Sequence, residues 1–211
     1  MNKPTIRAVF WDFGGVILSS PFDAFHAYER DHGLPAGFIG QVNSQHPDTN
    51  AWAQLERREI TTAEFDARFA DESAELGHRV SGADILALLR GSVRPEMVAA
   101  LDAVNQAGYI TACLTNNMAP ARHADPELAA IMARFDHLIE SSVVGCRKPD
   151  PAFYALACDT AGVEPSECVF LDDLGINLKP ARAMGMTTIK VITPRQALIE
   201  LGDQLNLTLI D

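Results

Sequence analysis

The sequence predicts an α/β protein: a doubly wound parallel sheet with an all-α helical cap inserted after the first strand. Three observations predict it. From about residue 95 onward, short β-branched or aromatic runs alternate with helical stretches, the pattern of βαβ units with helices on both sheet faces. Between about residues 21 and 94 the strand-like runs vanish and helix signals replace them. Three strand-like runs end in polar residues, Asp12, Thr115 and Asp172-Asp173, and in open α/β sheets the ligand crevice lies beyond the carboxyl ends of the strands. A chain of 211 residues is one domain, or one domain carrying a large insertion. The expected division is a core of residues 1–18 and 95–211 and a helical cap of residues 19–94.

Thr5 to Trp11 (TIRAVFW) is a short buried strand, broken by the polar and glycine-rich Asp12-Phe13-Gly14-Gly15. In the cap, Thr61-x-x-Glu64 is a capping box, Phe65 and Phe69 share one face of the helix that follows, and Gly77 ends it. Ser81 caps a further short helix through Leu89. Pro95 suits the first turn of a helix and Gly108 the position just past its end. Tyr109 to Thr115 (YITACLT) is a strand, followed by a helix over roughly 120–134 and a weak strand from Leu138 to Ser142. Pro149 and Pro151 open a helix that Gly162 closes, and Glu167 to Leu171 runs as a strand into Asp172-Asp173. A helix to Met184, a strand from Met186 to Ile192 and a helix over 195–203 complete the chain.

Composition narrows the function. Hydrophobic residues are 47% and charged residues 21%, which excludes wholesale disorder. A net charge of −11 argues against nucleic acid or an anionic membrane as the main partner, because both repel it. No apolar run is long enough to span a bilayer, and no hydrophobic leader follows Met1-Asn2-Lys3-Pro4, so a cytoplasmic protein is expected. Cys113, Cys146, Cys158 and Cys168 include no C-x-x-C pair, which fits reduced, buried thiols rather than a zinc ribbon or dithiol redox site. The six histidines form no H-x-x-x-H pair, so zinc is not expected.

The converging strand ends carry an electrostatic problem. Two carboxylates ~5 Å apart repel by roughly 3 kcal/mol at an effective dielectric of ~20. Asp12, Asp172 and Asp173 therefore need cations among them. Lys148, in Lys148-Pro149-Asp150-Pro151, supplies one, and hard carboxylate oxygens favour Mg²⁺ for the rest. An anionic phosphoryl substrate makes that ion more necessary.

Four segments in order, VFWDFGGVI, CLTNN, GCRKPDPAFY and FLDDLGINLKPARAMGM, give the chain a clear resemblance to the haloacid dehalogenase-like (HAD) hydrolase superfamily. The last resembles the N-terminal phosphatase domain of soluble epoxide hydrolases and related DFGGV-type proteins. The resemblance implies a Rossmann-like core and a Mg²⁺-dependent phosphatase. Asp12 would be the nucleophile forming an aspartyl-phosphate. Thr115, helped by Asn116, would bind the phosphoryl oxygens, and Lys148 would neutralise nucleophile and phosphoryl charge. Asp12, Asp173 and the backbone carbonyl of Gly14 would ligate the metal, with Asp172 acting through water or behind the ligands. The implied partner is a small phosphorylated metabolite, and a homodimer through cap or core helices is compatible with this reading.

One departure matters. Most family phosphatases carry a second Asp two positions after the nucleophile, to protonate the leaving group; here the position is Gly14. Such a group is typically worth 10²–10⁴-fold. Three outcomes are open: weak activity limited to good leaving groups, substitution by a cap histidine (His26, His32 or His46), or loss of hydrolysis in a regulatory phosphate- and metal-binding protein. Family 2-haloacid dehalogenases also lack that Asp and work without metal, but a metal-free site has less reason to keep Asp172 beside Asp173. Among the other residues, Arg147 reads as solvated, Trp52, Phe22, Phe25 and Phe38 as packing between cap helices, and Asn177 as either a helix start or a support of the metal loop.

Overall fold

The computed structural model describes residues 5–117 and 125–210. The chain divides into two compact units, one of Met1–Ser19 with Ser92–Asp211 and the other of Ser20–Gly91.

The larger unit is built on a five-stranded sheet, β1 (Ala8–Trp11), β2 (Ile110–Thr115), β3 (His137–Glu140), β4 (Cys168–Asp172) and β5 (Thr187–Lys190), in the order β3-β2-β1-β4-β5. Every neighbouring pair is parallel. Trp11 is in register with Cys113 of β2 and Leu171 of β4, so Asp12, Thr115 and Asp172 follow those partners at one lip of the sheet. The first strand is shorter than its apolar run, although its pairing continues through Arg7, which donates to Glu167 O at 2.8 Å and accepts from Ile110 N at 3.0 Å.

Alternation along β1 divides the core into two layers. Val9 and Trp11 pack with Met97, Leu101 and Val104 of α6 (Pro95–Gln106) and Leu198 and Leu201 of α11 (Pro194–Leu205). Ala8 and Phe10 face the opposite layer, with Phe153, Tyr154 and Ala157 of α9 (Pro151–Ala161) and Leu178 and Ala181 of α10 (Gly175–Ala183). This is a Rossmann-like, doubly wound parallel sheet. Local signals set the helix ends: Pro95, Pro151 and Pro194 occupy first turns, Thr193 forms a capping box with Gln196, and Gly108 and Gly162 take left-handed φ values of 85° and 64° past α6 and α9.

Two segments differ from the reading of the sequence. The expected strand from Leu138 to Ser142 stops at Glu140, and Ser141–Val144 forms a helical turn, α8, closed by Gly145 at φ 74°. Ser141 and Ser142 leave the strand because their hydroxyls bond the main chain and side chain of Asn117 at 3.1 and 2.9 Å, a competition with sheet pairing that serine makes readily. The helix expected over roughly 120–134 is present as α7 (Pro126–Met132), and residues 118–124 lie outside the described residues.

The second unit holds five α-helices among its described residues: α1 (Phe22–Asp31), α2 (Phe38–Ser44), α3 (Ala51–Glu56), α4 (Thr62–Glu75) and α5 (Gly82–Ala87). Thr61 and Glu64 form the capping box of α4, and Asn50 and Ser81 cap α3 and α5. Glu29, only 2% exposed, accepts from Gly37 N and Ile39 N at 2.8 and 2.9 Å. It satisfies amides at the start of α2, where Gly37 has no side chain to do so. Phe25, Phe38, Phe65 and Phe69 are buried, and Trp52 lies edge-on to Phe65 with ring centroids 5.4 Å apart. His26, His32 and His46 are exposed on this unit. No helix among the described residues is long and apolar enough to cross a membrane.

Candidate active site

Asp12 leaves β1 as the chain enters an irregular turn, Phe13–Ile17. It is 8% exposed, and its Oδ1 accepts from Phe13 N at 2.7 Å and pairs with Lys148 Nζ at 2.9 Å. Lys148, 1% exposed, also reaches Asp172 Oδ2 at 2.8 Å. One ammonium therefore bridges the carboxylates that end β1 and β4. Lys148 Nζ lies 5.6 Å from the centre of the Phe170 ring, whose face favours a cation.

Asp172 is fully buried and its oxygens are occupied. Oδ1 accepts from Leu174 N at 2.8 Å, Oδ2 takes Lys148, and Asn177 Nδ2 reaches both at 3.1 and 3.0 Å. Asn177 is in turn held through its main-chain carbonyl, which accepts from Tyr154 Oη at 2.7 Å. Asp172 thus organises the site from behind, while Asp173, next in the chain and partly exposed, stands at the front.

The two glycines of the turn play different parts. Gly15 has φ +74°, and a Cβ there would lie 2.7 Å from Asp173 Oδ1 and closer still to Oδ2. Glycine is needed both for the backbone angle and for the carboxylate lying against it. Gly14 has φ −69° and ψ 134°, ordinary for any residue, and a Cβ there would meet no atom within 4 Å.

An oxygen from each of Asp12, Asp172 and Asp173 lies within 4.8 Å of the others. Over Asp12, Asp172, Asp173 and Lys148 alone the formal charges sum to −2. Burial pushes the Asp12 carboxyl well above the ordinary carboxylate value; Lys148 pulls it back, and the charges of Asp172 and Asp173 push it up again. For Lys148 burial alone would lower the ammonium's pKa, but Asp12 and Asp172 outweigh it and hold it above the ordinary lysine value. An all-oxygen donor set with that charge excess fits a hard divalent cation such as Mg²⁺. The Asp172 oxygens accept from Leu174, Lys148 and Asn177, and Asp12 and Asp173 stand beside them in the same cluster.

Thr115, 5% exposed, ends β2 at the same lip. The Asn116 side chain lies on the segment that carries Lys148: its Oδ1 accepts from Lys148 N at 2.9 Å and its Nδ2 donates to Lys148 O at 3.0 Å. The side chain clamps the main chain that carries Lys148. Asn117 holds the neighbouring strand end, donating from Nδ2 to Glu140 Oε1 at 2.7 Å and from N to Ser141 Oγ at 2.9 Å. Cys113 is buried two residues before Thr115 on the same strand, its thiol pushed up by burial and by the Asp12 charge, away from the reactive thiolate form. Sequence reading missed Tyr154, Asn117 and the clamp role of Asn116. Tyr154 and Asn116 sit inside the quoted motifs, but nothing in the spacing says which way they point.

Comparison with known proteins identifies the family. The model of the haloacid dehalogenase-like hydrolase family matches residues 6–185. The chain is 35% identical over 213 residues to bifunctional epoxide hydrolase 2 of Mus musculus, an alignment covering 93% of this chain and 38% of that protein. It spans well under half the length of the first mammalian relatives it matches. With a phosphatase of Mycobacterium tuberculosis it shares 31% identity over 195 residues, 86% of this chain and 85% of that one. A HAD family enzyme from Bacteroides thetaiotaomicron, solved in complex with magnesium and inorganic phosphate, shares the fold with a TM-score of 0.57 over 88% of this chain and 93% of that chain at 22% identity. A matched region running from β1 to the end of α10 takes in Asp12, Thr115, Lys148, Asp172 and Asp173, and the chain belongs to the haloacid dehalogenase-like hydrolase family.

Proposed function

We propose that this protein is a Mg²⁺-dependent phosphatase acting on a small phosphorylated metabolite, with Asp12 as nucleophile. The observation that carries the reading is the bridge of Lys148 between Asp12 and Asp172, with an oxygen of Asp173 within 4.8 Å of theirs. Asp12, Asp173 and the Gly14 carbonyl would hold the metal, which when bound supplies positive charge for the phosphoryl oxygens. The names of the mycobacterial relative and of the Bacteroides complex, a phosphatase and a magnesium–phosphate complex, support the same class.

The chain's own residues then act as follows. Asp12, oriented by Lys148 and by Phe13 N–H, attacks phosphorus. The P–O bond to the leaving group breaks, the departing alkoxide takes its proton from solvent water, and an aspartyl-phosphate forms. Thr115 donates its hydroxyl to a phosphoryl oxygen. Lys148, fixed by the Asn116 clamp, stabilises charge on the nucleophile side. Water attack on the acyl phosphate regenerates Asp12 and releases phosphate. Most of the barrier reduction comes from positioning and electrostatics, because position 14 offers no acid for the departing alcohol.

The test is phosphate release from an aryl phosphate and from a panel of phosphorylated metabolites with Mg²⁺, against an Asp12→Asn control. The reading expects turnover that chelator removes and the substitution abolishes. Halide release from a 2-haloacid, indifferent to chelator, would replace it with dehalogenation. Mg²⁺-dependent binding of a phosphate analogue such as beryllofluoride without turnover of any ester would replace it with a regulatory binding role.

A further inference from the structure

The turn that brings Gly15 against Asp173 is held from a place the family motifs do not include. Arg94 lies 79 residues further along the chain, on the segment that re-enters the larger unit just before α6. Its Nη1 donates to the Gly15 carbonyl at 2.6 Å, and its own N–H donates to Ile17 O at 2.9 Å. One residue thus fixes two carbonyls of the five-residue turn. The turn is closed internally by Leu18 N to Phe13 O at 2.9 Å.

The main chain of Arg94 is itself held at both sides. Its carbonyl accepts from Met97 N and Val98 N at 3.0 and 3.2 Å in the first turn of α6, and Met97 and Leu101 of that helix are fully buried. A Leu18–Val93 bridge and the bond from Ser19 N to Ser92 O at 2.7 Å tie the adjoining segments together. The main chain that carries the guanidinium is therefore held in place, and the guanidinium itself is anchored on the Gly15 carbonyl. The bond it makes is charge-assisted, shorter and stronger than a neutral one.

The need for such a post follows from Gly15. A residue without Cβ has the widest choice of backbone angles, yet Asp173 requires one of them, because its carboxylate occupies the place a Cβ would take. Rotation of the Gly15 peptide would move the surface on which that carboxylate rests and the Gly14 carbonyl beside it.

We propose that Arg94 is a positioning residue of the cation site: by clamping the Gly15 carbonyl it holds the glycine turn in the one conformation against which Asp173 can present its oxygens. This rests on the metal-site reading above. Residues that orient metal ligands typically cost 10–100-fold in metal affinity or activity when removed, and Arg94→Ala is expected to weaken Mg²⁺ binding by that factor. Arg94→Lys, which keeps one charged donor for the single bond, recovers most of it, whereas Arg94→Gln does not.

The experiment is calorimetric titration of Mg²⁺ into the wild type and the three variants, with a thermal melt of each in chelator. Support is an Arg94→Ala protein that folds, binds Mg²⁺ ten- to a hundredfold more weakly, and regains kcat as Mg²⁺ is raised with the substrate KM unchanged at saturating metal. An Arg94→Ala protein that melts lower in chelator but binds Mg²⁺ as the wild type does would assign Arg94 to stability alone and overturn the inference. If Arg94→Ala does not fold, Lys and Gln variants of equal Mg²⁺ affinity overturn it, and a Gln variant weaker than Lys supports it. A wild type that binds no Mg²⁺ sinks the metal reading itself, and this inference with it; a wild type that binds alongside an unaffected variant sinks the inference alone.

Discussion

Replacing Gly14 with Asp is expected to raise hydrolysis of alkyl phosphates by about 10²–10⁴-fold, the usual worth of a general acid. That range corresponds to about 3–5 kcal/mol off the barrier. The backbone raises no objection: Gly14 sits at φ −69° and ψ 134°, is exposed, and its Cβ position is clear to 4 Å. At such a site, loss of glycine's freedom in the unfolded chain contributes about 0.4–1 kcal/mol of stability. Charge opposes it. Two residues along an extended chain span ~6–7 Å, and at that separation Asp12 and the new carboxylate repel by about 2–3 kcal/mol at an effective dielectric of ~20. Without metal, the variant should therefore melt a few degrees below the wild type, at about 2–4 °C per kcal/mol for a chain this size, and Mg²⁺ should close the gap. The decisive assay compares an alkyl phosphate with a nitrophenyl phosphate at saturating Mg²⁺. The alkyl ester should gain most, because nitrophenolate departs without a proton. A folded, Mg²⁺-binding variant with no gain on the alkyl ester, or an equal gain on both, would refute the view that position 14 lacks only the acid.

Gly15→Ala should do the opposite: the left-handed angle costs about 1–2 kcal/mol, the Cβ overlaps Asp173, and the change should be read as lost Mg²⁺ binding in a titration. Lys148→Met strands two buried carboxylates, and breaking a buried pair costs about 3–5 kcal/mol, measurable by urea unfolding. Because the folded Lys148 value is raised, the wild-type advantage over this variant should be complete below the ordinary lysine pKa of ~10.4 and fade only as pH rises through the higher folded value. Asp12→Asn should raise the melting temperature in chelator: with its carboxyl held above the ordinary value, the ionised group at neutral pH works against folding, so a lower melting temperature would contradict the charge-excess account. Asn177→Ala removes the amide that reaches both Asp172 oxygens and should cost about 1.5–3 kcal/mol, the range for hydrogen bonds to charged groups, in the same unfolding assay.

What the amino-acid sequence discloses, and what it withholds, follows from the range of each interaction. Asp12, Thr115 and Asp172 are readable because strand direction is local and a parallel sheet carries every strand end to one lip; the register of Trp11 with Cys113 and Leu171 needs no further information. The capping box at Thr61 and the proline-started helices are equally local. The glycine pair is where local reading stops. Gly14 and Gly15 look equivalent in the sequence, yet only Gly15 needs to be glycine, because a carboxylate 158 positions away rests on it. Asn116 stands beside Thr115 in the sequence, and its side-chain amide meets the main chain of Lys148, 32 residues on. Ser141 and Ser142 continue a β-like run but find Asn117 instead of a strand neighbour. In each case a polar side chain chose a partner that periodicity cannot name. Such partners decide where Asp12, Lys148 and Asp173 stand relative to one another, so the chemical character of this site is written in residue types along the strands while its precision is written in contacts between distant loops.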